Sequence, residues 1–571
     1  MRIGEAETLT GLSAGTIRYW EERGLLSFDR ALNSYRDIPD DTVELLQKIK
    51  LLRELGIAIA DIKLWHDGLV SEHELLVSRR KQLEDDSRSN LDQRQLCEKL
   101  LCGSEVGELR FFSEVQERHG KLALGVDIGT TSISAKLISL ETGKALHTYT
   151  LDHNAALIPD DSDTAHAIDA FAADSEKLLG LSMKLINAAV ESFPELVSIG
   201  ITGQMHGIIC VGDSLSPLYT WQNQFGKRLI GVESVCDRIR RLSGYEIPTG
   251  YGLVTYYALK ELGCLPDCNY ITTIADLVTA RLCGIEKPFC HPTNAASLGF
   301  FDIKKNAFDT AALEKLGIDS SVLPGIADDL APLGKYRGIS VSAAIGDNQA
   351  AVFGSLSAKG DVLVNIGTSG QVSFIGEGIA NDDPSCEVRP FFDGKYLCSG
   401  STLCGGRAYA MLADLVGEIL EGFGVNRPRA EIYSFLNESA KASTGKLNVR
   451  TTFSGTRKEP SMTGSIEGIT TADLKVGELT DGFFRGMVSE LRELYDSMTD
   501  EPPERLIVSG NSMRKNSGLR CAAEKLFGKP TFIPVQTEEA AFGAALYGAI
   551  SAGIINIETA KKLINYKGEL S

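Results

Sequence analysis

Positive charge, tryptophan and long apolar runs are all scarce in this chain. Its 58 Lys and Arg stand against 76 Asp and Glu, a formal net charge of -18. That balance excludes a protein that coats nucleic acid along its whole length, although it leaves room for a small local basic surface. Twelve Cys are scattered over 571 residues, and none sits at a zinc-site spacing. Cys97 and Cys102 are too far apart, Cys264 and Cys268 lack a second pair, and Cys290-His291 stands alone. Scattered cysteines of this kind read as buried reduced thiols, the expectation for a cytoplasmic protein. The first ten residues, MRIGEAETLT, lack the apolar stretch of a signal peptide. One uncharged run, Ala540 to Ile557, approaches the length of a membrane span. It is mostly Ala and Gly behind Glu538 and Glu539, so a closely packed interior helix is expected there instead.

What remains is the composition of a soluble globular chain, 43% hydrophobic and 23% charged. Its length implies two to four domains. Residues 1–65 carry short helical patterns with a turn-rich interruption at 30–36. Residues 66–118 are highly charged and read as a helical linker. Beyond Leu122 the texture becomes β-rich runs broken by Gly, and stays α/β to about residue 556.

The α/β part contains an echo. Val126-Asp-Ile-Gly-Thr-Thr-Ser132 recurs as Val364-Asn-Ile-Gly-Thr-Ser-Gly370. Each copy follows an apolar run and precedes an alternating one, predicting a strand, a glycine turn and a strand at the start of two similar domains, 122–357 and 358–556. A turn of Gly, Thr and Ser presents backbone N–H groups and hydroxyls without side-chain bulk, and such a nest binds phosphate oxygens. Gly129, Thr130, Thr131 and Ser132 form the first nest, and Gly367, Thr368 and Ser369 the second. Asp127, at the end of its strand, is placed to order water on a Mg²⁺ bound to those phosphates.

These residues resemble the FGGY carbohydrate kinases of the actin/hexokinase (ribonuclease H-like) superfamily. The resemblance runs in order through DIGTTS at 127–132, GQMHG at 203–207, TWQNQ around Trp221, Asp276 in IADLVTARLCG, GDNQA at 346–350, NIGTSG at 365–370, FSGTR at 453–457, SGNSMRKN at 509–516 and EEAAFGAA at 538–545. It implies ATP- and Mg²⁺-dependent phosphorylation of a sugar or polyol hydroxyl by a duplicated α/β kinase. Asp347 matches the family's catalytic base and shares the metal with Asp127. Gln204, Met205, His206, Trp221, Gln222 and Asn223 match the sugar-site segments, although the family usually has an aspartate where Asn223 stands, and Arg228 is displaced. Neutral amide, imidazole and indole groups suit an uncharged polyol. TWQ at 220–222, GYGLVT at 250–255, NAASLGFFD at 294–302 and Gly510-Asn511 resemble the sedoheptulokinase branch more than xylulose or glycerol kinases. That likeness places Gly510, Asn511 and Asn516 beside the adenine and ribose, and Gly405 and Gly406 beside the phosphates. It makes sedoheptulose the expected substrate.

Before all this, Thr10-Gly-Leu-Ser13 supplies a turn and N-cap ahead of a helix over AGTIRYWEERGLL that ends at Gly24. Two short helices joined in this way form a helix-turn-helix. Thr16, Arg18 and Tyr19 fall early on the second helix, and a wing at 30–36 adds Tyr35 and Arg36; such residues contact phosphates and base edges. The segment resembles the MerR family of regulators through IGEAETLTGLSAGTIRYWEERGLL, NSYRD and LRELGIAIADIK, with Trp20 where that family usually has Tyr. The resemblance implies operator DNA as a partner and a homodimer formed through the helix that follows. Residues 1–65 hold eleven acidic against nine basic side chains, so DNA binding would rest on a few placed Arg residues. Three readings follow: an active kinase with an attached regulator, a regulator whose kinase-like body senses sugar, and an enzyme whose N-terminal fold is structural. Intact Asp127, Asp347 and glycine turns favour the active kinase.

Overall fold

In the computed structural model the chain divides into two compact units, residues 1–116 and 117–571. The structure describes residues 120–157, 171–378 and 386–567. In the first unit it describes 14–22, 29–30, 36–37, 42–54, 59–66 and a few single positions. The charged stretch expected to form a linker and dimer helix lies outside the described residues, apart from His66 and Leu76.

The first unit comprises helix α1 (Ala14–Glu22), a hairpin of β1 (Asp29–Arg30) and β2 (Arg36–Asp37), and helices α2 (Thr42–Glu54) and α3 (Ile59–His66). Ile17 and Trp20 of α1 are three apart, hence on one helix face. They pack with Leu46, Ile49 and Leu52 of α2 and Ile62 of α3. Trp20, the departure from the MerR pattern, is therefore a core residue.

The second unit holds two sheets of the same plan. In the first, β3 (Leu122–Ile128) and β4 (Ser132–Ser139) make an antiparallel hairpin continued by β5 (Ala145–Asp152), while β6 (Leu196–Gly203) runs parallel to β3. β7 (Pro332–Tyr336) and β8 (Ile339–Ser342) extend the far edge, and β9 (Ile345–Gly346) pairs with the end of β6. Helix α4 (Asp347–Phe353) follows directly. In the second sheet, β10 (Asp361–Ile366) pairs with β11 (Gly370–Gly376); β12 (Cys386–Pro390) and β13 (Tyr396–Ser401) continue the antiparallel side. Helix α5 (Gly406–Gly422) comes next. β14 (Arg505–Ser509) lies parallel to β10, followed by α6 (Gly510–Lys515), α7 (Ser517–Phe527) and β15 (Thr531–Phe532). The repeated sequence thus corresponds to two hairpins in equivalent places, β3–β4 and β10–β11.

Helix α8 (Glu539–Ser551) returns to pack on the first sheet and on α4. Its Gly and Ala content has a steric cause. A Cβ on Gly125 would overlap the Ala541 carbonyl oxygen, one on Gly200 the Ala544 carbonyl, and one on Gly543 the Ala350 carbonyl. The expected interior helix is what forms. Among the described residues no helix is long and apolar enough to cross a membrane.

Candidate active site

Three carboxylates converge near the C-terminal end of β3. Asp127 faces Ser134 across the hairpin, and the Ser134 hydroxyl donates to Glu538 Oε2 at 3.0 Å. Glu538 leads into α8 from a left-handed conformation, φ 53°, which a non-glycine residue adopts only when its surroundings hold it there. Burial, then the charges of Asp347 and Glu538, pushes the Asp127 carboxyl up to about 8. Its Oδ1 is buried without a hydrogen-bond partner. An orphaned carboxylate oxygen is unfavourable in water-poor surroundings unless a cation meets it. Asp347 opens α4, accepting the Asn348 N–H at 2.7 Å on Oδ1. Burial raises it to about 6, while that N–H and the charge of Arg389 pull the other way.

Among the described residues no group of three or more His, Cys, Asp or Glu side chains forms a ready metal cage. Mg²⁺ is held by one or two carboxylates and completes its shell with phosphates and water. The orphaned Asp127 oxygen fits this part.

Both glycine turns are open. In the first, Gly129 N–H donates to Ser132 O at 2.9 Å. The Trp221 indole N–H donates to Thr130 Oγ1 at 3.1 Å, so Trp221, nearly half exposed, stands against this turn. In the second, Gly367, Thr368 and Ser369 are exposed. Gly405 and Arg407 N–H groups donate to Thr368 O, and Gly406 N–H to Gly367 O. A Cβ on Gly405 or Gly406 would overlap the backbone of Ser369 or Gly367. These glycines thus shape the turn from behind. Gly510, at φ 80°, is fitted in the same way against Asn365 and Ile366. Asn511 is exposed beside it. Asn516 caps α7, its Oδ1 accepting Leu519 N–H at 3.1 Å, and its buried Nδ2 has no partner.

Gln204 and Met205 are buried. Gln204 Nε2 donates to Gly129 O at 3.3 Å, tying the GQMHG segment to the first turn, and its Oε1 is unpartnered. His206, at φ 70°, has Nδ1 2.8 Å from Ser297 O and Nε2 3.5 Å from both terminal nitrogens of Arg389. Those partners fix the tautomer: Nδ1 carries the proton. Asn223 is fully buried with its amide donating to Phe171 O and Thr220 O, so its donors serve the backbone of the loop; Gln222 is half-buried next to it.

Arg389 has no motif around it, and nothing in Cys-Glu-Val-Arg-Pro distinguishes it from an ordinary strand charge. Reached from β12, it meets Glu387, Met205 and His206 at once. Asn348, inside GDNQA, accepts from Gln371 Nε2 of β11 at 3.0 Å. In the first unit, Arg18 is exposed on α1 and Thr16 half-buried. Arg36 lies in the β1–β2 hairpin. The side chains of Tyr19 and Arg36, and all of Tyr35, lie outside the described residues.

A duplicated sheet-and-hairpin fold, with carboxylates between two glycine turns, is that of the two-domain sugar kinases. Residues 122–354 match the N-terminal and 362–552 the C-terminal domain of the FGGY family of carbohydrate kinases, and the chain belongs to that family. Residues 1–69 match the MerR HTH family regulatory proteins. The chain is 26% identical over 463 residues to a sedoheptulokinase of Mus musculus, covering 74% of this chain and 96% of that one. Its fold is similar to that of a ligand-bound xylulose kinase from Lactobacillus acidophilus, with TM-score 0.65 and 18% identity over 78% of this chain and 93% of the other. It is also similar to Plasmodium falciparum glycerol kinase with ADP, with TM-score 0.63 and 18% identity over 78% and 92%.

Proposed function

We propose that this sugar kinase transfers the γ-phosphoryl group of ATP to a primary hydroxyl of an uncharged ketose, sedoheptulose first, and that residues 1–65 bind operator DNA. The observation that carries the kinase chemistry is the pair Asp347 and Asp127. Asp347 is a half-buried carboxylate that desolvation raises to about 6, ionised at neutral pH yet more basic than an ordinary aspartate, which suits a general base. It takes the proton of the attacking hydroxyl; that oxygen bonds to the γ-phosphorus as the bond to the bridging oxygen breaks, and ADP leaves with the electron pair. Gly129–Ser132 and Gly367–Ser369 would hold the phosphates from two sides, with Gly405, Gly406 and Gly510 keeping the second turn in shape. Asp127, and with it Asp347, would hold Mg²⁺, which when bound neutralises phosphate charge and orients the chain.

Sedoheptulose is supported by the motif likeness and by the relative named above. A neutral His206 and Gln204 suit hydroxyls, whereas Asn223 acts through its loop. Trp221 donates to Thr130 of the first turn, which supports a contact with the reacting end of the sugar or with the nucleotide. The test is sugar-dependent ADP release over a panel of ketoses and polyols with Mg²⁺. The highest kcat/KM is expected on sedoheptulose, then on xylulose or ribulose. A sugar phosphate or glycerol at the head of the panel would contradict the reading.

A further inference from the structure

A cavity opens beside His206, walled by Tyr251, Phe301 and Ile303 of the first half and by Glu387 and Arg389 on β12. The rings of His206 and Tyr251 stand 4.3 Å apart, so this cavity and the candidate sugar segment share a wall. Met205 links it to the base: its sulfur lies against Gly346, next to Asp347, and accepts from Arg389 Nη1 at 3.6 Å.

Arg389 has donors in reserve there. Its close bonds go to Glu387 alone, from Nε at 2.9 Å and from Nη2 to the same oxygen. The contacts to Met205 Sδ and His206 Nε2 are long, 3.6 and 3.5 Å. A guanidinium has five N–H groups, and N–H···O bonds settle at about 2.9–3.0 Å. An entering hydroxyl would therefore displace weak contacts only. Glu387 Oε1 is in the same position: among the described residues it meets only Arg457 Nη1, at 3.4 Å. A donor and an acceptor side by side match a vicinal diol, one hydroxyl accepting from Arg389 and its neighbour donating to Glu387. Glu387 pairs with both Arg389 and Arg457, so the group carries one positive charge beyond the neutral pair. Apolar walls with a few convergent polar groups are the usual make-up of such a pocket.

We propose that Arg389 and Glu387 form a distal subsite for the vicinal hydroxyls at the far end of an acyclic polyol chain, selecting ketoses longer than five carbons. The proposal rests on the sugar-kinase reading above and adds chain-length selection to it.

The test measures kcat/KM of the full-length protein for seven-, six- and five-carbon 2-ketoses and a six-carbon aldonate, in wild type, Arg389→Met, Glu387→Gln and Ile303→Trp. The seven-over-five-carbon ratio should fall about tenfold or more in each variant, since a site built to hydrogen-bond a hydroxyl discriminates strongly when that bond is removed. The effect should appear mainly in KM. An equal decrease at every chain length would overturn the subsite and leave Arg389 as a positioning residue for His206. An aldonate preferred by wild type and rejected by Arg389→Met would overturn it in favour of an anion site. If Arg389→Met does not fold, as judged by circular dichroism, Ile303→Trp decides, because it fills the cavity and keeps the ion pair. A wild type that favours five-carbon ketoses contradicts both the sedoheptulose assignment and the chain-length selection, whereas a wild type that favours seven carbons with a ratio unmoved in Ile303→Trp overturns the subsite alone.

Discussion

Arg389, carried by the second sheet, places both terminal nitrogens 3.5 Å from Nε2 of His206, carried by the first. Burial, and then the Arg389 charge, pushes the imidazole down to about 3. In the unfolded chain it would take a proton near the ordinary 6.5. Its contribution to stability is thus present above that value and disappears as pH falls toward 3.

Sugar recognition should accordingly show no histidine titration. The pH profile of kcat/KM for sugar is expected to be without an inflection near 6.5 that His206→Asn removes. Such an inflection, present in wild type and absent in the variant, would show that His206 titrates in the working range.

Asp347→Asn should keep the fold and sugar binding but lower kcat by about a hundredfold to ten-thousandfold, the usual weight of a general base. Wild-type kcat/KM should fall on the acid side of about pH 6, as the base of the free enzyme is protonated. A folded-state value raised above the unfolded one makes this aspartate destabilising as pH rises through 6. The thermal midpoint of Asp347→Asn at pH 7 is therefore expected to equal or exceed that of wild type.

Asp127 should show itself in binding without turnover. With its carboxyl raised to about 8, ionisation is resisted until a cation arrives. Affinity for Mg²⁺-ADP should climb from pH 6 to pH 8, and binding should release protons, visible in calorimetry as a heat that varies with the buffer. Asp127→Asn should remove both effects. A wild type whose heat is independent of buffer would count against Asp127 as the metal's partner.

Thr131 and Thr368 sit exposed on the two turns. Thr131→Val and Thr368→Val should each raise KM for ATP by about tenfold, within the range for a hydrogen bond to a charged group, and KM for sugar less. Steady-state kinetics with each substrate varied would reveal a turn that touches only sugar.

Arg18 lies on α1, whose other face buries Ile17 and Trp20. Arg18→Ala should weaken binding to the DNA upstream of this gene and make the salt slope shallower by about 0.9 for each phosphate that is no longer neutralised. Titrations at several fixed salt concentrations, with and without sugar, measure this. Equal binding by wild type and variant would leave residues 1–65 without a DNA role.

Much of this architecture is legible in the residues. The Gly-Thr echo predicts two equivalent hairpins because turn chemistry is local. The Ala and Gly run predicts a buried helix because only small residues allow such close backbone approach. Arg389 and Glu387 are not legible as site residues, since strand pairing brings them in from a distant segment without a motif. The motifs around Asn223 and Asn516 suggest ligand contacts, yet a sequence does not show whether a polar side chain turns to a ligand or to a nearby backbone. In the folded chain Asn223 donates to carbonyls and Asn516 caps a helix, while Asn223 Oδ1 and Asn516 Nδ2 stay buried without a partner.

The central claim is phosphoryl transfer from ATP to a sugar hydroxyl with Asp347 as base. Full-length protein, Mg²⁺, ATP and sedoheptulose should yield one primary phosphate ester per ADP formed, identified by phosphorus NMR of the product. Asp347→Asn should yield almost none at equal sugar affinity. ADP formed without a sugar ester, or the same ester at wild-type rate from Asp347→Asn, would contradict the account.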